Sequence, residues 1–329
     1  MQLSYSPKSP IAAFLKQQGF VLLDGGLATE LAKLGHSLNN NLWSASLLIN
    51  NPQEIRKVHL SYLNAGADCI ITATYQASIP GFVEEGISEK RAKSLIKKAV
   101  EIASEARAQY LDNSKNKYQS RIRPLIAVSI GPFGAYLADG SEFRGNYSVS
   151  TQELRSFHES RWEILGESSA DVFAFETIPS FREAVVLLDL LKSTPDVYAW
   201  ISFSCADGMR ISDGTPLAEC AELFSNCEQI VGVGVNCTAP RYISSLIRQV
   251  REGAPAKPIV IYPNSGETYD ENQKSWIGSS DLINFGTAAI EWFNLGARLL
   301  GGCCRTNPSQ IADMRKALLS LQNRKKKMT

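Results

Sequence analysis

Three cysteines, Cys237 and the adjacent pair Cys303-Cys304, are the residues of this sequence best suited to chemistry. Thiolates are soft ligands that bind zinc in preference to hard cations. Three protein ligands leave one tetrahedral position open, as in catalytic zinc sites. Cys303 comes 66 residues after Cys237, which does not fit a zinc finger or ribbon, so the fold must bring them together. Adjacent cysteines also commonly serve in packing, and both interpretations are open at this point.

The other four cysteines and the three histidines have a structural interpretation. Free cysteine inside a strand or helix packs as a small apolar residue. Cys205 follows a predicted strand, so facing the site is an alternative for it. The histidines fall on predicted helices or loops away from strand ends, and we expect them to be structural or solvent-facing. These residues are Cys69, Cys205, Cys220, Cys227, His36, His59 and His158.

The elements that would position the cysteines are short apolar runs that alternate with amphipathic segments of about 10 to 20 residues. Eight apolar runs are predicted to be strands buried on both faces. Eight strands, each followed by a helix, predict an α/β fold, a (β/α)8 TIM-type barrel. An open doubly wound sheet is the alternative, but no G-x-G-x-x-G follows the first strand. The predicted strands are residues 20–23, 69–74, 125–130, 172–175, 198–203, 231–235, 259–262 and 298–300.

Helix starts are marked by capping residues. Ser150 with Glu153 and Ser180 with Glu183 match the S-x-x-E capping box. Three other starts place a capping residue before a proline at the first helical position. They are Asn51-Pro52, Thr215-Pro216 and Asn307-Pro308.

Polar residues, glycines and cysteines collect directly after the predicted strands, and the opposite ends carry nothing comparable. A barrel builds its active site at the C-terminal ends of its strands, so this asymmetry indicates an enzyme. Gly301-Gly302 would supply the sharp turn that lets two adjacent cysteines reach one ion. The residues after the strands are Asp24 to Gly26, Tyr75-Gln76, Gly131-Pro132, Glu176-Thr177, Asn236-Cys237, Pro263 to Glu267 and Gly301 to Arg305.

Composition and length place the chain among ordinary globular proteins. It has 329 residues, 44% hydrophobic and 20% charged, with a formal net charge of +1. This balance gives no reason to expect nucleic acid or a membrane as a partner. No apolar run approaches the roughly 20 residues of a membrane helix, and no signal or transit segment is evident at the N-terminus. We expect a cytoplasmic protein with free thiols, either a monomer or a small homo-oligomer.

A single domain over residues 1–329 is predicted, with a core at about residues 15–320. The N-terminus is expected to be short and flexible, and the basic run Arg324 to Lys327 to be a solvated tail.

Six blocks of this sequence resemble the homocysteine S-methyltransferase family, in the same order and spacing. Within this family, the sequence as a whole resembles the plant-type branch, which uses S-methylmethionine. That branch has a relative that methylates selenocysteine. The resemblance implies a barrel with one zinc ion per chain on Cys237, Cys303 and Cys304, and homocysteine as acceptor. The folate- and cobalamin-dependent route needs further domains, for which one barrel leaves no room, so neither cofactor is expected. The blocks are Asp24 to Gly26, Thr74 to Gln76, Phe175 to Thr177, Gly234 to Cys237, Tyr262 to Glu267 and Gly301 to Arg305.

The same resemblance implies that Asp24 and Glu176 bind the amino group of homocysteine. The backbone amides of Gly25 and Gly26 are candidates for its carboxylate. A turn or cap role for Asp24 and a structural salt bridge for Glu176 are the alternatives.

The methyl donor is expected to be a sulfonium cation, which aromatic faces bind well. Trp43 matches in position a tryptophan of the betaine-using branch. Aromatic residues Phe133 and Tyr136 lie in the 131–148 loop, which is a candidate lid. S-methylmethionine is expected to be the preferred donor, and S-adenosylmethionine and betaine are alternatives. The donor-side candidates are Trp43, Tyr75, Gln76, Asn236 and Asn264.

Two other classes of function are alternatives for this sequence. Another zinc or lyase-type barrel, acting on a small carbonyl substrate, would want histidine or carboxylate ligands for its metal and a Schiff-base lysine at a strand end. A non-catalytic zinc-stabilised barrel would need a fourth protein ligand near Cys237. Neither feature is evident in the sequence.

Overall fold

The computed structural model describes residues 3, 5–38, 40–113, 121–270, 275–280 and 284–328. Eight parallel strands form one sheet, and they are β1 (Val21–Leu22), β2 (Cys69–Ile71), β3 (Leu125–Ile130), β4 (Val172–Ile178), β5 (Ala199–Phe203), β6 (Ile230–Asn236), β7 (Ile259–Tyr262) and β10 (Ala297–Leu300). Their order in the sheet is β1-β10-β7-β6-β5-β4-β3-β2. A two-stranded antiparallel hairpin, β8 (Thr268–Asp270) with β9 (Ser275–Ile277), lies outside this sheet.

The first and second strands close the sheet into a barrel. The Asp68 N–H donates to the Leu22 carbonyl at 2.6 Å, and Leu23 pairs with Cys69 in parallel. The predicted (β/α)8 barrel is therefore confirmed, and the open doubly wound alternative is wrong.

Helices surround the barrel. Two 3₁₀ turns, Trp43–Ser46 and Ser141–Phe143, lie in the loops after β1 and β3. Among the described residues, none of the helices combines the length and apolar character needed to cross a membrane. The helices are α1 (Ala12–Gln18), α2 (Leu27–Lys33), α3 (Leu47–Asn50), α4 (Pro52–Ala65), α5 (Ile79–Glu84), α6 (Glu89–Asp112), α7 (Phe133–Leu137), α8 (Thr151–Gly166), α9 (Phe181–Lys192), α10 (Leu217–Phe224), α11 (Pro240–Gly253), α12 (Phe285–Leu295) and α13 (Pro308–Met328).

The basic run Arg324 to Lys327 is part of a helix. Helix α13 continues through it to Met328, so the backbone of this segment is helical, whereas the sequence predicts a frayed tail. Lysine and arginine are good helix formers, which explains why the helix does not stop before them.

The barrel interior is closed at the end where the strands begin. Helix α1 directly precedes β1, and its Phe14 and Leu15 pack with the inward-facing strand residues Leu23, Ala127 and Trp200. The other end, where the strands finish, is left for a site, as in other (β/α)8 barrels.

A buried aspartate, Asp68, and a partly buried one, Asp171, tie neighbouring strands together at this closed end. Asp68, just before β2, accepts a hydrogen bond from the Leu22 N–H at 3.0 Å, and Asp171, just before β4, accepts one from Ile126 N–H at 2.8 Å. Arg315 of α13 pairs with Asp68 at 2.7 Å. Charged groups at this end therefore serve stability.

The predicted helix starts are only partly confirmed. The capping box of Ser150 and Glu153 is present, and the Asn307 side chain caps α13. Helix α4 begins at Pro52 as predicted, although Asn51 makes no side-chain cap hydrogen bond.

Two of the predicted starts are wrong in detail. Helix α10 begins at Leu217, so Pro216 is its N-cap and not its first helical residue. The capping box of Ser180 and Glu183 is absent. Glu183 is fully buried and binds His158, so its side chain cannot return to the helix start.

Replacing Ser150 with Ala is expected to lower the free energy of unfolding by about 1 kcal/mol, because the hydrogen bond to the Glu153 N–H is lost. Ser180→Ala is the matched control, since Ser180 is also an N-cap residue but makes no cap hydrogen bond. Urea denaturation of both variants checks the difference. Equal losses of stability would contradict the role of the cap.

Candidate active site

A cavity of about 640 Å³ opens at the C-terminal end of the barrel. This volume lies in the range of sites that enclose small molecules. Its wall is built from residues at or just past the C-terminal ends of β1, β2, β4, β6, β7 and β10, together with parts of α2 and of the loops after β1 and β3. Most of the strand ends singled out in the sequence therefore meet around one space, but Gly131-Pro132 and Pro263 to Glu267 do not line it.

The three cysteines converge in this cavity. Their sulfur atoms all lie within 4.8 Å of one another. Cys237 follows β6 and the Cys303-Cys304 pair follows β10, and β7 lies between these two strands. Two successive carbonyls at the end of β7 hold both loops, because Cys237 N–H donates to Tyr262 at 3.1 Å and Cys303 N–H donates to Pro263 at 2.8 Å.

The pKa values of the Cys237 and Cys304 thiols are shifted in opposite directions. Hydrogen bonds from Cys237 and Cys303 hold the pKa of the Cys304 thiol far below its ordinary value. The pKa of the Cys237 thiol is raised, because it donates to the sulfurs of Cys303 and Cys304 and is buried. The trio is therefore set up to carry negative charge at Cys304, which favours a metal cation.

The glycine pair before the cysteines serves close packing and not a sharp turn. Neither Gly301 nor Gly302 has a positive φ. The Gly302 N–H donates to the Asp24 carbonyl at 2.9 Å, and a Cβ on Gly302 would lie 2.3 Å from the Thr306 hydroxyl oxygen. A Cβ on Gly301 would lie 2.6 Å from Leu23 Cβ, so a side chain there would push the cysteine loop away from the end of β1.

The left-handed backbone falls on other residues of the cavity. Every non-glycine residue with a positive φ in the described part of the chain lines the cavity wall. Such conformations cost roughly 1–3 kcal/mol each and cluster at functional sites. They are Trp43 (47°), Ala138 (52°), Thr177 (60°), Cys237 (45°) and Arg305 (67°).

Asp24 and Glu176 are buried carboxyl groups of the cavity wall. Burial, with repulsion from Glu176 and Cys303, raises the pKa of Asp24 far above its ordinary value. Burial, with repulsion from Cys303, raises the pKa of Glu176 to about 8. Neither carboxyl group forms a salt bridge within the described residues, so a bound cation would stabilise both charges.

Each carboxyl group is also held by the barrel. Asp24 Oδ2 accepts a hydrogen bond from the Ile71 N–H at 2.9 Å, which leaves Oδ1 for a ligand. The Ser129 hydroxyl donates to Glu176 Oε1. Strand β4 runs to Ile178, so Glu176 and Thr177 lie in the strand end and not beyond it. Neither the cap role weighed for Asp24 nor the salt bridge weighed for Glu176 is seen in the described residues.

Gly25 and Gly26 line the cavity beside Asp24. The Gly26 N–H already donates to the Thr306 hydroxyl at 3.1 Å. The Gly25 N–H makes no hydrogen bond to another described residue. Of the two predicted donors to a carboxylate, Gly25 is therefore the one with a free N–H group.

The donor-side candidates divide into two groups. Trp43, Tyr75 and Gln76 line the cavity, and the Trp43 and Tyr75 rings meet edge to face with centroids 6.3 Å apart. Asn236 and Asn264 are buried behind the wall. They hold the cysteine loops, because Asn236 Nδ2 donates to Cys303 Sγ at 3.8 Å and Asn264 Nδ2 donates to the Cys237 carbonyl at 3.4 Å.

The loop after β3 is largely ordered into α7 and the 3₁₀ turn Ser141–Phe143. Phe133 packs against Tyr136 and Phe157 with centroids 5.5 and 5.1 Å away, and the Tyr136 hydroxyl donates to Glu84. These rim aromatics therefore pack the loop down and do not line the cavity.

Some cavity residues were missed by the sequence reasoning. Thr72, Glu142 and Tyr262 line the cavity, although the sequence proposes none of them as a site residue. Glu142 lies in the candidate lid, and Tyr262 lies in one of the six blocks that resemble the family. His36 also lines the outer cavity, whereas the sequence predicts that it faces away from the site. The expectation for His59 and His158 is confirmed, because both are fully buried away from the cavity.

Comparison with known proteins identifies the family. The homocysteine S-methyltransferase family profile matches residues 21–318. A homocysteine S-methyltransferase of Bacillus subtilis is 48% identical over 306 residues, which cover 93% of this chain and 96% of the relative. A selenocysteine Se-methyltransferase of Brassica oleracea is 44% identical, with 92% and 90% covered. The metallated crystal structure of the Escherichia coli homocysteine methyltransferase is similar with a TM-score of 0.83 at 41% identity, covering 94% of this chain and 99% of that one. With its barrel and its cysteine-lined cavity, this chain is a member of the homocysteine S-methyltransferase family.

Proposed function

We propose that this enzyme holds one zinc ion on Cys237, Cys303 and Cys304 and transfers a methyl group from S-methylmethionine to the thiol of homocysteine, giving methionine. The observation that carries the proposal is the meeting of three cysteine sulfurs and two buried carboxyl groups in one cavity. Family membership supports the reaction class and the acceptor.

The donor set fits zinc. Three sulfur ligands on one zinc ion would lie about 3.8 Å apart, and the sulfurs here lie within 4.8 Å of one another. Cys303 and Cys304 are only partly buried, so a fourth ligand can approach them from the cavity. When bound, zinc would keep a ligating substrate thiol deprotonated at neutral pH, where a free thiol with a pKa near ~8.5 is mostly protonated.

Asp24 and Glu176 suit the ammonium group of homocysteine. Both are buried without a cationic partner among the described residues, and a bound ammonium would supply the missing charge. Both line the same cavity as Cys237, Cys303 and Cys304. An acceptor held by these two carboxylates would therefore have its thiol directed to the cysteines, which aligns the sulfur for attack on a methyl group.

The donor would bind in the remaining part of the cavity. Trp43 and Tyr75 present aromatic rings there, and aromatic faces attract sulfonium cations. A cavity of about 640 Å³ has room for homocysteine and a second molecule of amino-acid size. A sulfonium also transfers its methyl group more readily than betaine, because a neutral thioether leaves more easily than a tertiary amine.

We expect kcat/KM to be highest with S-methylmethionine, lower with S-adenosylmethionine and negligible with betaine. The measurement is the initial rate of methionine formation with each donor at equal, sub-saturating concentration and saturating homocysteine. If betaine gave the highest rate, the assigned donor class would be wrong, while the zinc assignment would stand.

Selenocysteine is a second candidate acceptor, because two relatives at 44% and 45% identity carry that activity in their names. A selenol is more acidic than a thiol and would bind the same cysteine-held metal. Competition between homocysteine and selenocysteine for S-methylmethionine, followed by mass spectrometry of both products, distinguishes the two. A preference for selenocysteine would reassign the acceptor.

A further inference from the structure

Behind the cavity wall lies a buried polar cluster, the Glu183 cluster, formed by Glu183, His158, Arg161 and Tyr147. Glu183 and His158 are fully buried, and Arg161 is 1% exposed. His158 Nε2 lies 2.7 Å from Glu183 Oε1, and Arg161 Nη2 lies 3.0 Å from His158 Nδ1. The Tyr147 hydroxyl donates to Glu183 Oε2. None of the four lines the cavity.

The protonation states of the cluster are mutually consistent. Burial lowers the pKa of His158, so its ring is neutral at neutral pH. A neutral ring with its proton on Nε2 donates to Glu183 and accepts from Arg161 at Nδ1. The imidazole thus links a buried anion to a buried cation.

Burying this cluster in the core costs free energy. Within the described residues, Arg161 Nε and Nη1 have no hydrogen-bond partner. A buried ion pair with unsatisfied donors is often less stable than apolar side chains of the same volume. Its presence therefore favours a role beyond stability.

The cluster holds both ends of one stretch of chain, residues 131–147, which we call the rim segment. At its start, Arg161 donates to the Gly131 carbonyl and Phe133 N–H donates to Glu183 Oε1 at 2.6 Å. At its end, Tyr147 bonds the same carboxylate. One carboxylate on α9 thus fixes both entry and exit of the segment.

The rim segment in turn shapes the donor side of the cavity. Its residues Ala138, Gly140, Glu142 and Phe143 line the wall. Gln76 Nε2 donates to the Ala135 carbonyl at 3.0 Å, and a Cβ on Gly131 would lie 2.5 Å from the Tyr75 carbonyl oxygen. The segment therefore contacts two of the donor-side residues directly.

We propose that Glu183, His158, Arg161 and Tyr147 are positioning residues that hold the rim segment against Tyr75 and Gln76 and so determine how the methyl donor binds. This proposal rests on the proposed function for the site of donor binding. Homocysteine and the metal contact Asp24, Glu176 and the cysteines in that function, so they should be insensitive to the cluster.

The test is Tyr147→Phe, which removes the hydrogen bond between Glu183 and the last residue of the rim segment without changing charge. KM for S-methylmethionine is expected to rise about 10-fold, since a misplaced binding wall weakens productive alignment. KM for homocysteine and zinc content are expected to stay within about 2-fold of wild type. Glu183→Gln should raise KM for S-methylmethionine further than Tyr147→Phe does. If the two KM values rise together, or neither changes, the positioning role is wrong.

The matched control is Tyr136→Phe, which removes a tyrosine–glutamate hydrogen bond of the same segment at the exposed surface. It should leave both KM values unchanged. A second readout does not need turnover: hydrogen exchange in peptides of residues 131–147 should be faster in Tyr147→Phe than in Tyr136→Phe. If wild type is inactive with S-methylmethionine, the proposed methyl donor is wrong. The difference in hydrogen exchange between the two variants still tests whether the Glu183 cluster holds the rim segment. Equal exchange in the two variants would overturn it.

Discussion

Replacing Cys237, Cys303 or Cys304 with serine is expected to abolish zinc binding and to lower the rate of methionine formation by more than about a hundredfold. Changes around a metal's ligands already cost about 10- to 100-fold, and these changes remove a ligand itself. The metal-competent group found among the described residues consists of these three cysteines, whose sulfurs lie within 4.8 Å of one another, so losing one leaves two ligands. Zinc content by mass spectrometry and initial rates on the same preparations provide the measurement.

Cysteines elsewhere in the chain serve as controls for this prediction. Cys69 and Cys220 are fully buried away from the cavity, and Cys227 is partly buried on the loop before β6. Replacing each of them with alanine should leave close to one zinc per chain. Full zinc content together with full turnover in any variant of the cavity cysteines would show that the ligands are assigned wrongly.

Asp24→Asn and Glu176→Gln are each expected to weaken homocysteine binding by about 1.5–3 kcal/mol, the value of a charge-assisted hydrogen bond. This corresponds to a rise in the homocysteine KM of roughly 10- to 150-fold. Both replacements keep the shape of the side chain, and the asparagine oxygen can still accept from the Ile71 N–H. Zinc content should not change. Steady-state kinetics at saturating donor measure the effect.

A homocysteine analogue without the amino group, 4-mercaptobutyrate, separates charge recognition from other effects. Wild type should bind it more weakly than homocysteine, and the two variants should lose most of that preference. If wild type bound both compounds equally well, the carboxylates would not recognise the ammonium group.

The barrel could be predicted from the sequence because each local signal agreed with it. Continuous apolar runs mark strands buried on both faces, and β3 and β7 have the predicted boundaries. The position of polar residues at one end of the strands also located the cavity, since the chain direction of parallel strands fixes which ends meet. The cysteines follow β6 and β10, so their convergence required only that the barrel close.

Local sequence patterns gave wrong predictions for side chains that form contacts with distant parts of the chain. Glu183 matches a capping box, yet it is drawn into the core by His158, the Phe133 N–H and Tyr147. Asn236 follows the pattern of a rim residue, yet the bonds from its side chain to Thr177 and Cys303 place it behind the wall. In each case a short sequence cannot show which distant group will be the partner.

The sequence alone therefore determined the architecture, the end of the barrel that carries the site and the residue types that meet there. These depend on periodicity and chain direction, which are local properties. The tertiary structure decided which glycine N–H is free, which backbone positions carry the strain and which polar side chains face the cavity. Those outcomes depend on atoms that are far apart in the chain, and only the closed barrel sets the distances between them.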